Sequence, residues 1–546
     1  MSVPVLTITA DGVTLGPELE VFSLEVRKEL DRVPEARLTV LDGSVAARKF
    51  ALSDEPTFGP GAEVLIEIRD EGESTANHPL FFGLVTRQTA SSSGEGTELR
   101  IDLRDAAFKL TRRRRSVVHR DQHDDEIART IVEAAGLTAG TFDATAVLHP
   151  ALVQYNATDW DFLLARADAN GQVVIVDDGE VSLRSLANPG EVVASFAHGL
   201  DPIHEVELEL DAEGQWARAE GTAWDLAEQA QAAPAAATDL AVTAGDLDIE
   251  AVATRLGGDL LTLVSPGSLA AEELAPWASA RLARSRLALL RGRLVVDGRA
   301  DIAPFDRVAL EGVGKRFDGD LLVSGVTHRY DREGWRTELQ IGLSPEWFAR
   351  APDLADVPAS GLVPPLAGLH IGVILDFKGD PLGEHRVLVK LPALNDPDGS
   401  VWARMARPDA GKGRGFVFWP EIGDEVVVGF LGDDPRHAIV LGGLHGARNG
   451  PPPPLDAPVD DNPLRVIVSK SGTTIAFDDA RKSLTITTPA GNTIAVDDEA
   501  GGISVADQHG NAITLDAAGI TLKSAADFTI DAAGAVVIKG PSVDIQ

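Results

Sequence analysis

The chain has 546 residues, no cysteine, and a formal net charge of −35 from 84 acidic against 49 basic side chains. Disulfides, thiolate catalysis and cysteine-based metal sites are excluded, and general electrostatics disfavours nucleic acid or an anionic membrane as partner. Hydrophobic residues make up 44% and aromatics 5%, with 53 glycines, a balance that leans towards short strands and tight turns over a length fit for about three to five domains.

The opening Met1-Ser-Val-Pro-Val-Leu-Thr-Ile-Thr9 lacks a basic region followed by an apolar core, which predicts no signal peptide. No run approaches the ~18 apolar residues of a membrane span, which predicts no membrane anchoring.

Residues 1–110 alternate in short apolar runs such as Phe22 to Val26, Leu38 to Leu41, Val64 to Ile68 and Leu99 to Leu103. They predict a first β-barrel or sandwich. The basic run Arg112 to Arg115 reads as a solvated loop or a grip on an acidic partner. Residues 111–189 read as an insertion with two helices, from 124 to 136 and from Asp159 to Ala169, with Asp159 as cap of the second. Two strands joined by Asp177-Asp-Gly179 follow, a hairpin-turn signal.

Residues 190–350 return to strands, with an Ala/Gln-rich break at Ala227 to Ala237 and a helix near Glu272 to Leu290, and predict a second barrel of the first kind. Prolines mark a linker at 351–367. Residues 368–447 predict an OB-type barrel of five strands, counted as 372–375, 386–391, 401–404, 415–419 and 425–431, with 438–441 following. Residues 448–462 read as a Pro-rich linker, stiffened by Pro451 to Pro454.

Residues 463–546 repeat. Gly472, Gly491 and Gly510 open near-identical segments 19 residues apart, and Leu484, Ile503 and Leu522 keep the same step. Within each repeat the apolar residues alternate, as strands with one buried face do. The spacing predicts a β-solenoid whose winding narrows through Ile530, Ile538 and Ile545. Strands this short make a thin core in one chain, whereas three chains around one axis bury every inward face. The reading carried forward is one third of a trimeric β-helical needle; a monomeric solenoid and a sandwich of hairpins remain the alternatives.

Signatures of chemistry are sparse. His119 and His123 are four apart, but Arg120 follows the first, so the metalloprotease pattern is missing. Gly411-Lys-Gly-Arg-Gly415 is not followed by the Gly-Lys-Ser/Thr of a phosphate loop. The Asp pairs at 478–479 and 497–498 read as turn residues rather than Ca²⁺ ligands. No catalytic, cofactor-binding or metal residue is assigned.

Several segments, in chain order, resemble the VgrG-type central spike proteins of contractile injection systems, a family that includes phage baseplate hubs and spikes. They are Glu29-Leu-Asp-Arg-Val-Pro-Glu-Ala-Arg-Leu, Gln154-Tyr-Asn-Ala-Thr-Asp-Trp-Asp-Phe-Leu-Leu164, Pro304-Phe-Asp-Arg-Val-Ala-Leu with Val323-Ser-Gly-Val-Thr-His328, and Trp419-Pro-Glu-Ile-Gly-Asp-Glu-Val-Val-Val-Gly-Phe. The resemblance implies a mainly β fold with minor α: two tandem hub barrels, an OB barrel and a trimeric β-helix needle. It implies a structural homotrimer, not an enzyme, that adapts a six-fold inner tube to a three-fold needle and punctures an envelope. Implied partners are the inner tube hexamer, baseplate proteins, cargo effectors and a PAAR-type tip protein seated on Val543 and Ile545. Such a chain assembles in the bacterial cytoplasm within a contractile particle and is then released or delivered. An extracellular, phage-tail-like system is favoured over type VI secretion. A β-helical carbohydrate-active enzyme or an adhesin is the competing reading.

Overall fold

The computed structural model describes residues 4–44, 48–70, 76–93, 96–225, 228–242, 245–351, 354, 357–453, 455 and 459–545. Ala227 of the Ala/Gln-rich break, Pro454 of the spacer and the terminal Gln546 lie outside them. The protein is mainly β, in two compact units, Met1–Val357 and Pro358–Gln546. Among the described residues no helix is long and apolar enough to cross a membrane.

In the first unit one hydrogen-bonded sheet runs through the strands Ile203–Leu210, Leu290–Asp297, Gly334–Ile341, Gly319–Asp331, Val21–Glu29, Glu35–Leu41, Gly96–Arg104, His78–Ser93, Glu63–Asp70 and Pro4–Ala10. The two halves meet where Gly319–Asp331 pairs antiparallel with Val21–Glu29, His328 opposite Val26. Each half has its own core. The first holds Leu24, Val26, Leu38, Val40, Ile66 and Ile101; the second holds Leu294, Val308, Val323, Val326, Leu339 and Ile341. Alternation places these side chains on one face of each strand, so two β modules share a continuous backbone ladder.

Between the halves lie the helices Asp124–Ala134 and Asp159–Ala169. Ile127, Ile131, Trp160 and Leu163 pack onto Val174 and Val176 of the strand Gln172–Asp177. Thr158, not Asp159, caps the second helix: its Oγ1 accepts from the Asp161 N–H at 3.0 Å. A hydroxyl one residue earlier reaches the free amides of the first turn, while Asp159 instead accepts from Arg115. The hairpin turn at Asp178 and Gly179 has φ of +48° and +85°, the left-handed pair of a tight two-residue turn. It is tied to the sheet by Lys28, which reaches Asp177 and Asp178, and by the Phe82 N–H, which donates to Asp178 at 2.9 Å.

A helix at Ala271–Leu287 carries three buried arginines, Arg281, Arg284 and Arg286. The helix Ile249–Arg255 and the strand Leu260–Ser265, parallel to Arg218–Asp225, complete this layer.

The second unit begins with a closed five-stranded barrel in the order His370–Asp376, Val387–Lys390, Ser400–Met405, Ala438–Gly443, Glu425–Phe430. Its core is Ile374, Val387, Val389, Ala403, Val426, Val428 and Val440. The expected strand at 415–419 is not in it. Ala438–Gly443 closes the barrel by running parallel to Ser400–Met405, and residues 410–415 form a minute hairpin instead. The run Phe416 to Trp419 is left outside.

The last seven strands, each five residues long, form an antiparallel meander: Leu464–Val468, Thr474–Asp478, Ser483–Thr487, Thr493–Asp497, Gly502–Ala506, Ala512–Asp516 and Gly519–Lys523. Within a single chain each strand pairs only with its sequence neighbours, and the first and last do not meet to close a coil. The narrowing expected beyond Phe528 does not show as strands: residues 524–545 carry no strand pairing among the described residues. Their alternation is too sparse in one chain for a ladder to form.

Candidate assembly interface

The meander's register sorts its side chains into two apolar columns. One is Ile467, Ile475, Ile486, Ile494, Val505, Ile513 and Leu522, each directly opposite the next. The other starts at Arg465 and continues through Phe477, Leu484, Val496, Ile503, Leu515 and Ile520. Between the columns, on the opposite face, stand small residues: Ala476, Thr485, Ala495, Ser504 and Thr514. Period-2 geometry makes this separation automatic once the register is set. The columns are not covered by their own chain. Ile494 is 47% exposed, Ile513 43% and Leu522 56%. An uncovered apolar face running the length of a sheet marks an interface.

The turns hold the register. Gly472, Gly491 and Gly510 have φ of +88°, +91° and +94°, so the 19-residue repeat is a repeat of one left-handed turn. Beside them Thr488 Oγ1 accepts from the Asn492 N–H at 3.2 Å, and Asp507 Oδ1 from the Asn511 N–H at 2.9 Å. Asn492 then accepts from the Gln508 N–H at 3.1 Å and Asn511 from the Ala525 N–H at 2.8 Å, linking each turn to the next. The Asn511 side chain, then backbone amides, hold the Asp507 carboxyl below the usual range.

On the other edge the aspartates act as turn residues. Asp478 accepts from the Arg481 N–H at 3.1 Å and Asp497 from the Ala500 N–H at 2.8 Å. Arg481 spans to Asp497 at 2.7 Å. These bonds lower the Asp497 pKa, the Ala500 amide first. No group of three or more potential metal ligands is found among the described residues.

The other sequence candidates have local partners. Arg115 bonds Asp159 at 2.6 Å, Arg114 bonds the Asn156 carbonyl at 3.0 Å, and Arg112 lies over the Phe108 ring. The basic run is thus largely stitched into the first unit. His119 stacks on Phe162 and His123 bonds the Val147 carbonyl, so the two do not converge. Val543 and Ile545 are both exposed, outside any strand.

Two buried ionic clusters in the first unit escaped sequence reasoning. Asp124 receives Arg166 at 2.7 Å, Asn170 at 2.9 Å and His149 at 3.0 Å. Burial pushes the Asp124 carboxyl up, but Arg166, Asn170 and His149 together hold it below its usual range. Asp168 receives Arg281 at 2.7 Å and Arg284 at 3.0 Å. The Arg281 guanidinium also lies 3.3 Å over the Trp347 ring.

Next to that cluster, Asp31 lines a cleft of about 880 Å³ with Arg284, Trp160 and Trp347. Burial pushes the Asp31 carboxyl up to about 6, despite Arg284 3.8 Å away and the Val174 N–H it accepts at 2.8 Å. A raised acid favours its neutral form in the fold. Its stabilising contribution is complete below the unfolded value of 3.8 and is lost as pH rises through about 6. Asp31→Asn is therefore expected to stabilise the first unit at pH 7.5 and to be neutral near pH 4. Asparagine also tolerates the local φ of +61°. Tryptophan fluorescence in urea measures this, since six of the eight tryptophans lie before residue 348. Equal destabilisation at both pH values would contradict it.

Matches to two baseplate domain models mark this as a VgrG-type spike chain. Residues 370–445 match the type VI secretion system/phage-baseplate injector OB domain, and residues 483–546 match the phage baseplate V C-terminal trimerisation domain. Residues 1–332, more than half of the 546, match the Alg8 N-terminal domain, and the chain belongs to that family. The type VI secretion system spike protein VgrG1a of Pseudomonas aeruginosa is 33% identical over 87 residues, 16% of this chain and 14% of that one. The actin cross-linking toxin VgrG1 of Vibrio cholerae is 33% identical over 96 residues, 16% of this chain and 9% of that one. The chain thus spans about a seventh or less of the length of these curated relatives. The crystal structure of a tail protein from Neisseria meningitidis MC58 aligns over 65% of this chain and 99% of its own, at 15% identity and a TM-score of 0.45.

Proposed function

We propose that three copies of this chain assemble through the terminal meander into the central spike of a contractile injection machine. The observation that carries this is the pair of apolar columns, left nearly half exposed along the meander in a stretch matching a trimerisation domain. Three such faces turned towards one axis remove that surface from water and leave the small-residue faces outside. The work is mechanical: the first unit meets a six-fold tube, the meander makes a three-fold needle, and contraction behind it drives the tip through an envelope. No residue is assigned to catalysis.

The machine is read as an extracellular, phage-tail-like particle, with type VI secretion second. Recovery of the chain from sedimented particles in culture medium supports this reading; recovery from cell-bound sheaths only would favour the second. The same reading seats a tip protein on Val543 and Ile545, and Val543→Asp with Ile545→Asp should abolish its co-purification while leaving the trimer intact.

The test of assembly is native mass by light scattering on the full chain beside a chain ending at Gly450. A trimer that is lost or weakened on truncation is the expected result. A full chain that stays monomeric at micromolar concentration would falsify the needle.

A further inference from the structure

The OB barrel leaves out the segment that sequence periodicity assigned to it. Phe416, Val417, Phe418 and Trp419 run extended between the minute hairpin and Pro420, and Phe416 is 53% and Phe418 61% exposed. Ile422 beyond them is exposed too. Four consecutive large apolar residues left uncovered beside a closed barrel are a costly surface in water.

The segment is nevertheless held in a defined course. The Phe416 N–H donates to the Asp409 carbonyl at 3.0 Å, and Arg407 Nη1 donates to the Phe418 carbonyl at 2.6 Å. The same guanidinium lies 4.8 Å over the Trp419 ring, which in turn packs against Phe377. Arg407 Nη2 is shielded from solvent and has no acceptor among the described residues.

The segment also adjoins the meander. Glu421 forms an ion pair with Lys470, which lies in the turn directly after the first meander strand. The 416–422 loop is thus held beside the start of the meander, whose uncovered apolar face begins with Ile467.

We propose that the 416–422 loop is an intersubunit clasp: it docks on a second copy of this chain, extending the needle's interface onto the OB barrels. This rests on the trimer reading. It makes the OB barrel a participant in assembly rather than a passive adapter, and it explains why an apolar run suited to a buried strand is kept outside the barrel. Continuity with the meander's apolar face is what selects a second copy as occupant over a baseplate or tube protein.

The absence of cysteine makes the test direct, because one introduced thiol reports alone. Val417→Cys in the full chain is reacted with a maleimide in native buffer and after unfolding in guanidinium, with native mass measured on the same sample. Leu200→Cys, at an 88% exposed position in the first unit, serves as the open reference. In a sample of trimeric mass the thiol at 417 is expected to react about tenfold or more slowly than when unfolded, while that at 200 reacts freely. A maleimide carrying a photoreactive arm, attached before assembly, should then join two chains. Free reaction at 417 in a sample of trimeric mass overturns the clasp and leaves the needle standing, with a different protein as the loop's partner. Protection with photoproducts confined to one chain overturns it as well. A monomeric mass overturns both readings.

Discussion

Replacing Ile494 by aspartate is expected to convert the assembled spike into monomers. Ile494 stands in the middle of its column, between Ile486 and Val505. Its burial in a trimer is worth about 1.5–3 kcal/mol per chain. A carboxylate there also carries a desolvation cost of several kcal/mol, and the change occurs in all three chains. The column Ile486, Ile494, Val505 is continuous, so the lesion cannot be bypassed by a small shift: a slip of one residue would turn every apolar side chain to the wrong face. Val505→Asp should behave alike. Ser504→Asp, one residue away on the opposite face, should keep the parent mass. Light scattering at micromolar protein separates these outcomes. A trimeric Ile494→Asp would mean that the columns do not face the axis.

The second large effect is expected at Asp168. Its carboxylate is 5% exposed and serves Arg281 and Arg284, both themselves buried. Asp168→Ala strands two guanidinium groups in the interior, and removing one partner of a buried pair typically costs about 3–5 kcal/mol. Burial already pulls the Arg281 pKa down, opposed by Asp168. Urea unfolding followed by tryptophan fluorescence should show the loss in the first unit with the native mass unchanged. A loss below about 1 kcal/mol, the scale of an ordinary surface substitution, would show that water reaches the arginines.

Much of the fold could be read from local pattern. The helix Asp159–Ala169, the left-handed hairpin at Asp178 and Gly179, and the alternation of the meander strands are all encoded within about ten residues of themselves. So is the 19-residue turn, because only glycine accepts its φ without strain. What local pattern could not show is pairing at long range. The ladder between Val21–Glu29 and Gly319–Asp331, which fuses the two β modules, joins residues about three hundred apart. The Asp168–Arg281 pair is 113 residues apart, and neither residue type looks unusual in its own segment.

The OB barrel shows the opposite failure. The run Phe416 to Trp419 has the composition of a core strand, yet Ala438–Gly443 takes the closing place. Composition reports that a segment wants cover, not who supplies it. The same reasoning holds for the candidate interface: the columns were legible as an alternation, while their exposure in the single chain and the asparagine links between turns required coordinates.

The antiparallel meander has a consequence for how the terminal sheet bears load. Its strands lie crosswise and its backbone hydrogen bonds point along the direction in which the strands stack. A push along that direction presses the rungs together and is shared by all of them at once. A pull on the last strand of the ladder, Gly519–Lys523, loads one rung at a time, so the sheet opens like a zip from that strand. A single column of rungs is therefore strong in compression along the stack and weak against peeling.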